Sequence, residues 1–215
     1  MLTLQDIKAL NIEASSKCIG NCPFCSRKQK VRPYGGYSIT SSEFKRLPSA
    51  LFKHLRRMTF SGNFGDFASN PEMVDIVTYV KMLNETIIMG AETNGSVQDE
   101  AWWRALGPLF HDGCVIFSVD GLEETHALHR IGTDFNKIIK NIQAFTATGG
   151  VAHWKFIVFE HNEHQIEEAE TLARDIGCAR FYVISSRDYD ETLRRPKSLD
   201  FKVKREIFYS YWNAL

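Results

Sequence analysis

Three cysteines lie close together near the start of the chain, Cys18, Cys22 and Cys25 in the run CIGNCPFC. Thiolates spaced this closely are typical metal ligands. A [4Fe-4S] cube has four irons, and a structural cluster normally gives each iron one cysteine. Three thiolates leave one iron open to another ligand, so the spacing predicts a cluster that takes part in chemistry.

The alternative is a structural zinc site, closed and tetrahedral, built from the three cysteines and a fourth ligand from elsewhere. No second CxxC pair follows, and the nearest downstream histidine is His54, beyond a predicted loop and helix. Cys114 and Cys178 stand alone beside apolar runs, where small core residues are expected. The sequence therefore favours an iron-sulfur cluster over zinc.

Composition limits the other possibilities. The chain has 215 residues, enough for one sizeable core, with 26 Lys and Arg against 26 Asp and Glu, so nucleic acid is not an expected partner. Its first residues lack the features of a signal peptide, and no apolar run is long enough for a membrane span. We expect a cytoplasmic protein that uses its clustered cysteines for metal and not for disulfides.

Strands and helices are predicted to alternate along the chain. The strands are predicted over residues 10–16, 57–61, 86–92, 114–119, 151–159 and 180–185. The helices are predicted over 38–54, from the Asn70-Pro71 pair onward, over 98–111, over 134–148, and over 162–177, where Asn162 and Gln165 form a capping box.

Nearly continuous apolar strands that alternate with helices indicate an α/β fold with a parallel sheet covered by helices. Six units are two short of a complete barrel, so we expect an open (β/α)6 partial TIM barrel with parallel strands, helices outside and ligands at the carboxyl ends of the strands. Residues 1–190 would form this core. Residues 191–215 are predicted to be a helical extension that packs on the barrel edge.

The spacing CxxxCxxC, with Phe24 just before the last cysteine, resembles the signature of the radical S-adenosylmethionine (radical SAM) enzymes. The likeness continues at the strand ends, where Thr93-Asn94-Gly95 resembles the TNG turn of that family and Ser118-Val119-Asp120-Gly121 resembles its S-x-D-G turn. Arg130 follows Ser118 by twelve residues, as in the peptide-modifying members. His126 and His129, on the short helix before it, either line a pocket or face water.

The resemblance implies that the open iron chelates the amino and carboxylate groups of SAM, and that Phe24 packs near its adenine. The loop after the second strand takes the place of the family's Gly-Gly-Glu-Pro segment, with an aspartate and no proline, and Asp66 is expected to bind the ammonium group. The implied SAM contacts are Phe24, Gly62, Asn63, Gly65, Asp66, Asn94, Ser118, Asp120 and Arg130. No catalytic residue is assigned.

The implied reaction begins with an electron from a donor such as flavodoxin or ferredoxin. SAM is then cleaved reductively, and the 5'-deoxyadenosyl radical takes a hydrogen atom from a peptide or a small metabolite. The chain is most similar to the SPASM-type peptide-modifying branch, but it has no auxiliary-cluster cysteines after Cys178. The alternative is an iron-sulfur electron carrier or a metal-stabilised binding module that does not cleave SAM.

Overall fold

The computed structural model describes residues 3–25, 27, 36–62 and 64–198. The prediction for Asn63 lies outside the described residues, as does most of the predicted extension over 191–215. The extension therefore stays a prediction. None of the helices in the described part of the chain has the length and apolar character needed to cross a bilayer.

Six parallel strands form one sheet in which each strand lies beside its neighbour in the chain. Within the described residues β1 and β6 do not pair, so the sheet is open. This confirms the predicted α/β fold with an open, partial barrel. The strands are β1 Ala9–Asn11, β2 Arg57–Phe60, β3 Ile88–Thr93, β4 Cys114–Ser118, β5 Ala152–Val158 and β6 Arg180–Ser185.

The connections between strands contain seven α-helices in the described part of the chain. They are α1 Ser41–Phe44, α2 Ser49–Lys53, α3 Met73–Leu83, α4 Glu100–Leu106, α5 Glu123–His129, α6 Phe135–Thr146 and α7 Ile166–Asp175. Short 3-10 turns occupy Leu4–Asp6, Phe67–Ser69, Gly107–Phe110 and Glu163–Gln165.

The strands divide their side chains between two faces. Phe117 of β4 packs against Trp103 of α4 and Phe145 of α6, with ring centroids 5.1 and 5.9 Å apart. Cys114 and Ile116 point the other way and form a small separate cluster with Tyr182. The helix-covered face therefore carries the main core, and the opposite face lines the inside of the partial barrel.

The first strand and the first helix differ most from their predicted ranges. The first strand ends at Asn11, and Ser15 forms only an isolated antiparallel bridge with Ser38, because the chain already turns there toward the cysteines. The helix predicted over 38–54 is two helices, since Pro48 lacks the amide hydrogen that a continuous helix needs and instead caps α2.

The predicted capping box at Asn162 is wrong. Asn162 Oδ1 accepts a hydrogen bond from the Phe159 amide at 2.7 Å, and its Nδ2 donates to the carbonyls of Ile157 and Asp120 at 3.1 and 3.3 Å. Gln165 Oε1 accepts from the Leu122 amide at 3.1 Å. Both side chains therefore fasten the ends of β4 and β5 together, a tertiary role that outweighs the local capping preference.

Candidate cluster and cofactor site

The cysteine loop, residues 18–25, follows the carboxyl end of β1. Cys18, Cys22 and Cys25 are all free thiols and half-buried. Arg27 holds the loop from inside, donating from Nη1 to the Cys18 carbonyl at 2.8 Å and from Nη2 to the Gly20 carbonyl. The three thiols thus lie on a loop whose backbone is fixed by the protein.

Two nitrogen donors are aimed at the sulfurs. Asn94 Nδ2 lies 3.6 Å from Cys18 Sγ, and Arg130 Nη1 lies 4.0 Å from Cys22 Sγ. Hydrogen bonds and positive charge at thiolate sulfur are the contacts that tune an iron-sulfur cluster. The donor set therefore fits thiolates that carry a cluster.

Gly20 leaves space beside two of the thiols. A Cβ at this position would lie 3.5 Å from Cys18 Sγ and 3.7 Å from Cys22 Sγ. Burial raises the pKa of the Cys18 thiol, and the Asp66 carboxylate adds to this effect. The protein alone therefore favours the protonated thiol at Cys18, and binding of a cluster would displace that proton.

The described side chains do not form a site for a single metal ion, since no three His, Cys, Asp or Glu residues converge on one point. A zinc ion draws its sulfurs together through bonds of about 2.3 Å. A four-iron cube binds each thiolate through a different iron and holds the sulfurs farther apart.

Asp66 joins the loop after β2 to the TNG turn after β3. Its Oδ2 accepts from the Asn94 amide at 2.6 Å and from Asn94 Nδ2 at 2.9 Å, and its Oδ1 accepts from Thr93 Oγ1 at 2.8 Å. Burial raises the pKa of Asp66, although these hydrogen bonds oppose the rise. The carboxylate therefore fixes Asn94, which in turn reaches Cys18.

Asp120 holds the arginine that reaches Cys22. The carboxylate is fully buried, and its Oδ2 lies 2.5 Å from Arg130 Nε and 2.7 Å from His129 Nδ1. Its Oδ1 accepts from the Ile157 amide at 2.7 Å. Burial alone would raise the pKa of Asp120, but the Arg130 guanidinium and His129 hold it well below its usual range.

The comparisons with known proteins agree with this geometry. The chain matches the Radical SAM superfamily over residues 12–176. It belongs to this superfamily. Radical SAM enzymes use a [4Fe-4S] cluster and SAM, so these are the cofactors of the chain.

Three proteins similar to this chain are informative. The chain is 25% identical over 194 residues to the PqqA peptide cyclase of Gluconobacter oxydans (strain 621H), covering 89% of this chain and 52% of the relative. Streptococcus suis SuiB bound to S-adenosylmethionine has a TM-score of 0.68 at 15% identity, over 96% of this chain and 47% of SuiB. AnSMEcpe with bound AdoMet and Cp18Cys peptide has a TM-score of 0.59 at 20% identity, over 86% of this chain and 52% of anSMEcpe. The chain spans about half the length of these relatives.

Glu13 contacts the loop after β2, and sequence reasoning missed this contact. Its Oε1 accepts from the amides of Phe64 and Gly65, the second at 2.8 Å. A Cβ on Gly62 would overlap the Glu13 side chain, and a Cβ on Gly65 would overlap the Ser15 carbonyl oxygen. The two glycines therefore let the variant loop close around a carboxylate from the end of β1, and a lone acid just after a strand was the available signal.

His126 and His129 are both buried and do not face water. His126 Nδ1 accepts from the Asp120 amide at 3.3 Å, and its Nε2 lies 2.8 Å from Thr133 Oγ1. Burial lowers the pKa of His126 to about 4, so the ring is neutral at pH 7. Its proton is therefore on Nε2, and the ring fixes the segment that follows Arg130.

An ion pair lies on the inner face of the sheet. Lys155 Nζ of β5 is 2.5 Å from Glu92 Oε2 of β3. Lys155 alternates with Trp154 and Phe156, which belong to the main core, so it lies on the face opposite the helices. The signal in the sequence was one lysine within the apolar run 151–159.

The structure brings six of the twelve predicted cluster and SAM residues into two chains of contacts. One runs from Asp66 through Asn94 to Cys18, and the other runs from Asp120 through Arg130 to Cys22. Phe24 is half-buried in the cysteine loop, and Ser118 is buried at the end of β4.

Proposed function

We propose that the chain is the core of a radical SAM enzyme that cleaves SAM reductively and abstracts hydrogen from a peptide. The observation that carries this proposal is the pair of donors, Asn94 and Arg130, held at the thiols of Cys18 and Cys22 by buried aspartates. An electron carrier would not need strand-end motifs that converge on its cluster loop.

In this proposal Cys18, Cys22 and Cys25 hold the cluster, which supplies the electron for SAM cleavage and an open iron for the methionine group. Arg130 offers a guanidinium beside the cluster, a fork of donors suited to a carboxylate or to ribose hydroxyls. Asp120 is fully buried behind it with three protein donors, so we assign it the positioning of Arg130 and not a contact with SAM.

The ammonium group of SAM is expected near the loop after β2. Asp66 already accepts four hydrogen bonds from protein donors, which leaves its oxygens well satisfied. Glu13 is exposed, and it brings a second carboxylate to the same loop. We therefore propose that Glu13 shares the recognition of the ammonium group with Asp66, together with the backbone of Gly62 and Gly65.

A peptide is the proposed substrate because the PqqA peptide cyclase and the peptide-bound anSMEcpe are among the proteins that the chain resembles. The Glu92–Lys155 pair on the inner face offers both a positive and a negative group to such a substrate. An electron donor such as flavodoxin or ferredoxin and a cytoplasmic location stay predictions of the sequence.

The test is the formation of 5'-deoxyadenosine by protein reconstituted under anaerobic conditions and supplied with SAM and a strong reductant. We expect about four irons and four sulfides per chain, with product above the background of the reductant. Cys22→Ala should lose both the cluster and the product, whereas Cys178→Ala, outside the cysteine loop, should keep them. A stable cluster without product would favour the electron carrier, and zinc without iron would refute the proposal.

A further inference from the structure

Polar side chains gather on the inner face of the sheet, near the carboxyl ends of the strands. Asn11 of β1 is in register with Thr59 of β2, and Asn11 Oδ1 accepts a hydrogen bond from Thr59 Oγ1 at 2.9 Å. Met58 and Phe60, on either side of Thr59, belong to the main core, so Thr59 points to the inner face. This part of the inner face is therefore suited to a polar molecule.

The Glu92–Lys155 pair lies at the same edge of the sheet as the cluster loop. Glu92 is next to last in β3, and Thr93, the residue after it, donates to Asp66 at 2.8 Å. Lys155 is in register with Ser118, the last residue of β4. The side chains of Lys155 and Glu92 are 12% and 32% exposed, so the pair is partly enclosed but reachable. A substrate inside the barrel would therefore meet this pair next to the cofactor site.

The pair presents an acceptor and a donor side by side. Glu92 Oε2 faces Lys155 Nζ, whereas Glu92 Oε1 accepts no hydrogen bond from any residue that the structure describes. The two charges cancel, so a group with a single charge is attracted to one partner and repelled by the other. An apolar group would remove water from both partners without replacing its hydrogen bonds. The pair therefore favours a neutral group that both donates and accepts.

A primary carboxamide has this chemistry. Its carbonyl oxygen accepts and its nitrogen donates, and an N–H and the oxygen lie in one plane on the same side of the group. The oxygen can face Lys155 while the N–H faces Glu92, much as Asn and Gln side chains meet the adjacent donor and acceptor of adenine. A trans backbone amide points its N–H and C=O in opposite directions, so it cannot meet both partners at once.

We propose that the Glu92–Lys155 pair binds the carboxamide side chain of an asparagine or glutamine in the peptide substrate, and thereby selects the residue that loses hydrogen. The inference rests on the proposed function and names the substrate class for the same site. In the step that follows binding, a C–H bond of the selected residue breaks homolytically. The hydrogen atom forms a C–H bond of 5'-deoxyadenosine, and the unpaired electron stays on the substrate carbon.

The test supplies reconstituted protein, SAM and dithionite with pools of capped peptides. Each pool has one fixed residue, Asn, Gln, Asp, Glu, Lys or Leu, deuterated at its carbon atoms, and varied flanking residues that exclude Asn and Gln. The caps are an acetyl group and a methylamide, because an unsubstituted C-terminal amide would itself be a primary carboxamide. The readout is the fraction of 5'-deoxyadenosine that carries deuterium, measured by mass spectrometry.

Three variants change the pair, and one serves as the control. Lys155→Met and Glu92→Met each remove one charged partner, and the exchange of Glu92→Lys with Lys155→Glu keeps a pair in the reverse order. Lys81→Met is the matched control, because the pair of Lys81 and Asp112 has similar exposed fractions, 12% and 37%, but involves helix α3, outside the barrel. Iron and sulfide content is measured for every protein.

We expect the Asn or the Gln pool to give a deuterated fraction at least about tenfold above those of the Leu pool and the charged pools. Lys155→Met and Glu92→Met should lower this preference roughly tenfold, because the carboxamide loses one of its two partners. The exchanged pair should keep most of the preference, since a carboxamide can turn to match the reverse order. Lys81→Met should keep all of it.

A Leu pool or a charged pool that gives as much deuterium as both carboxamide pools would overturn the inference. So would an unchanged preference in Lys155→Met and Glu92→Met, because the pair would then only join β3 to β5. If those two variants take up no iron, loss of the preference in the iron-loaded exchanged pair would overturn it instead. Product without deuterium from any pool would overturn the carboxamide site but leave SAM cleavage intact, whereas a full cluster without product would refute the proposed function as well.

Discussion

Replacing Asp120 by Asn tests whether the buried carboxylate organises the site. The substitution keeps the shape of the side chain but removes the charge that faces Arg130 and His129. It also turns an amide group, which donates, toward two groups that already donate. Arg130, whose side chain is only 14% exposed, would then be a buried cation without its counterion.

Removing one partner of a buried ion pair costs about 3–5 kcal/mol, because the remaining charge is desolvated without compensation. With a urea m-value of about 2 kcal/mol per molar, a loss of about 4 kcal/mol moves the unfolding midpoint down by about 2 M. Folding lowers the pKa of Asp120, so its ionised carboxylate stabilises the wild-type fold. This stabilisation should be complete above the ordinary aspartate pKa of about 3.9. It should decline as the pH falls below that value.

The assay is urea unfolding of the cluster-free protein at pH 7, followed by tryptophan fluorescence. Asp112→Asn is the matched control, since it breaks the pair of Lys81 Nζ and Asp112 Oδ2, 2.9 Å apart, at a side chain that is 37% exposed. This control substitution should lower the free energy of unfolding by less than about 1 kcal/mol, because the ion pair that it breaks is near the surface. In a double variant with Arg130→Gln, part of the Asp120→Asn cost should be recovered. If Asp120→Asn is no more destabilising than Asp112→Asn, the positioning role is refuted.

Three further predictions concern the same site. Glu13→Gln should weaken SAM binding to the reconstituted protein by about tenfold, a loss of about 1.4 kcal/mol, and an unchanged dissociation constant in equilibrium dialysis would exclude Glu13 from the ammonium site. Asn94→Ala removes the donor 3.6 Å from Cys18 Sγ and should lower the reduction potential of the cluster in a spectroscopic titration, with no shift expected if the contact does not form. His126 has a pKa of about 4 in the folded protein and about 6.5 in the unfolded chain. Between pH 6.5 and pH 4 the unfolded chain therefore binds a proton that the folded protein does not, and the free energy of unfolding should fall as the pH falls. His126→Gln should flatten that part of the curve of unfolding free energy against pH.

The sequence was sufficient to predict the sheet because its signal is local and repeated. Each strand is a short apolar run between turn residues, and six such runs with helices between them permit few topologies. The TNG and S-x-D-G turns were also recognisable, since Gly95 and Gly121 adopt positive φ angles of 72° and 115° that favour glycine.

The site was predictable in its members but not in its connections. Asp120 was expected to contact SAM, yet its partners His129, Arg130 and Ile157 are set by the way α5 and β5 meet behind it. Glu13 and Phe64 are 51 residues apart in the chain, and no local pattern joins them. Asn162 shows the opposite case, where a strong local pattern was overruled by tertiary hydrogen bonds.

The contact between the cysteine loop and the segment after α5 has a consequence for synthesis on the ribosome. Arg130 follows Cys22 by 108 residues, and the Ile131 carbonyl that receives the Asn21 amide comes one residue later. At about 5–20 residues per second, the thiols emerge roughly 5–20 s before the part of the chain that secures their loop is made. The nascent cysteines therefore meet the surrounding solution unprotected, and we expect stable cluster insertion only after translation has passed Ile131.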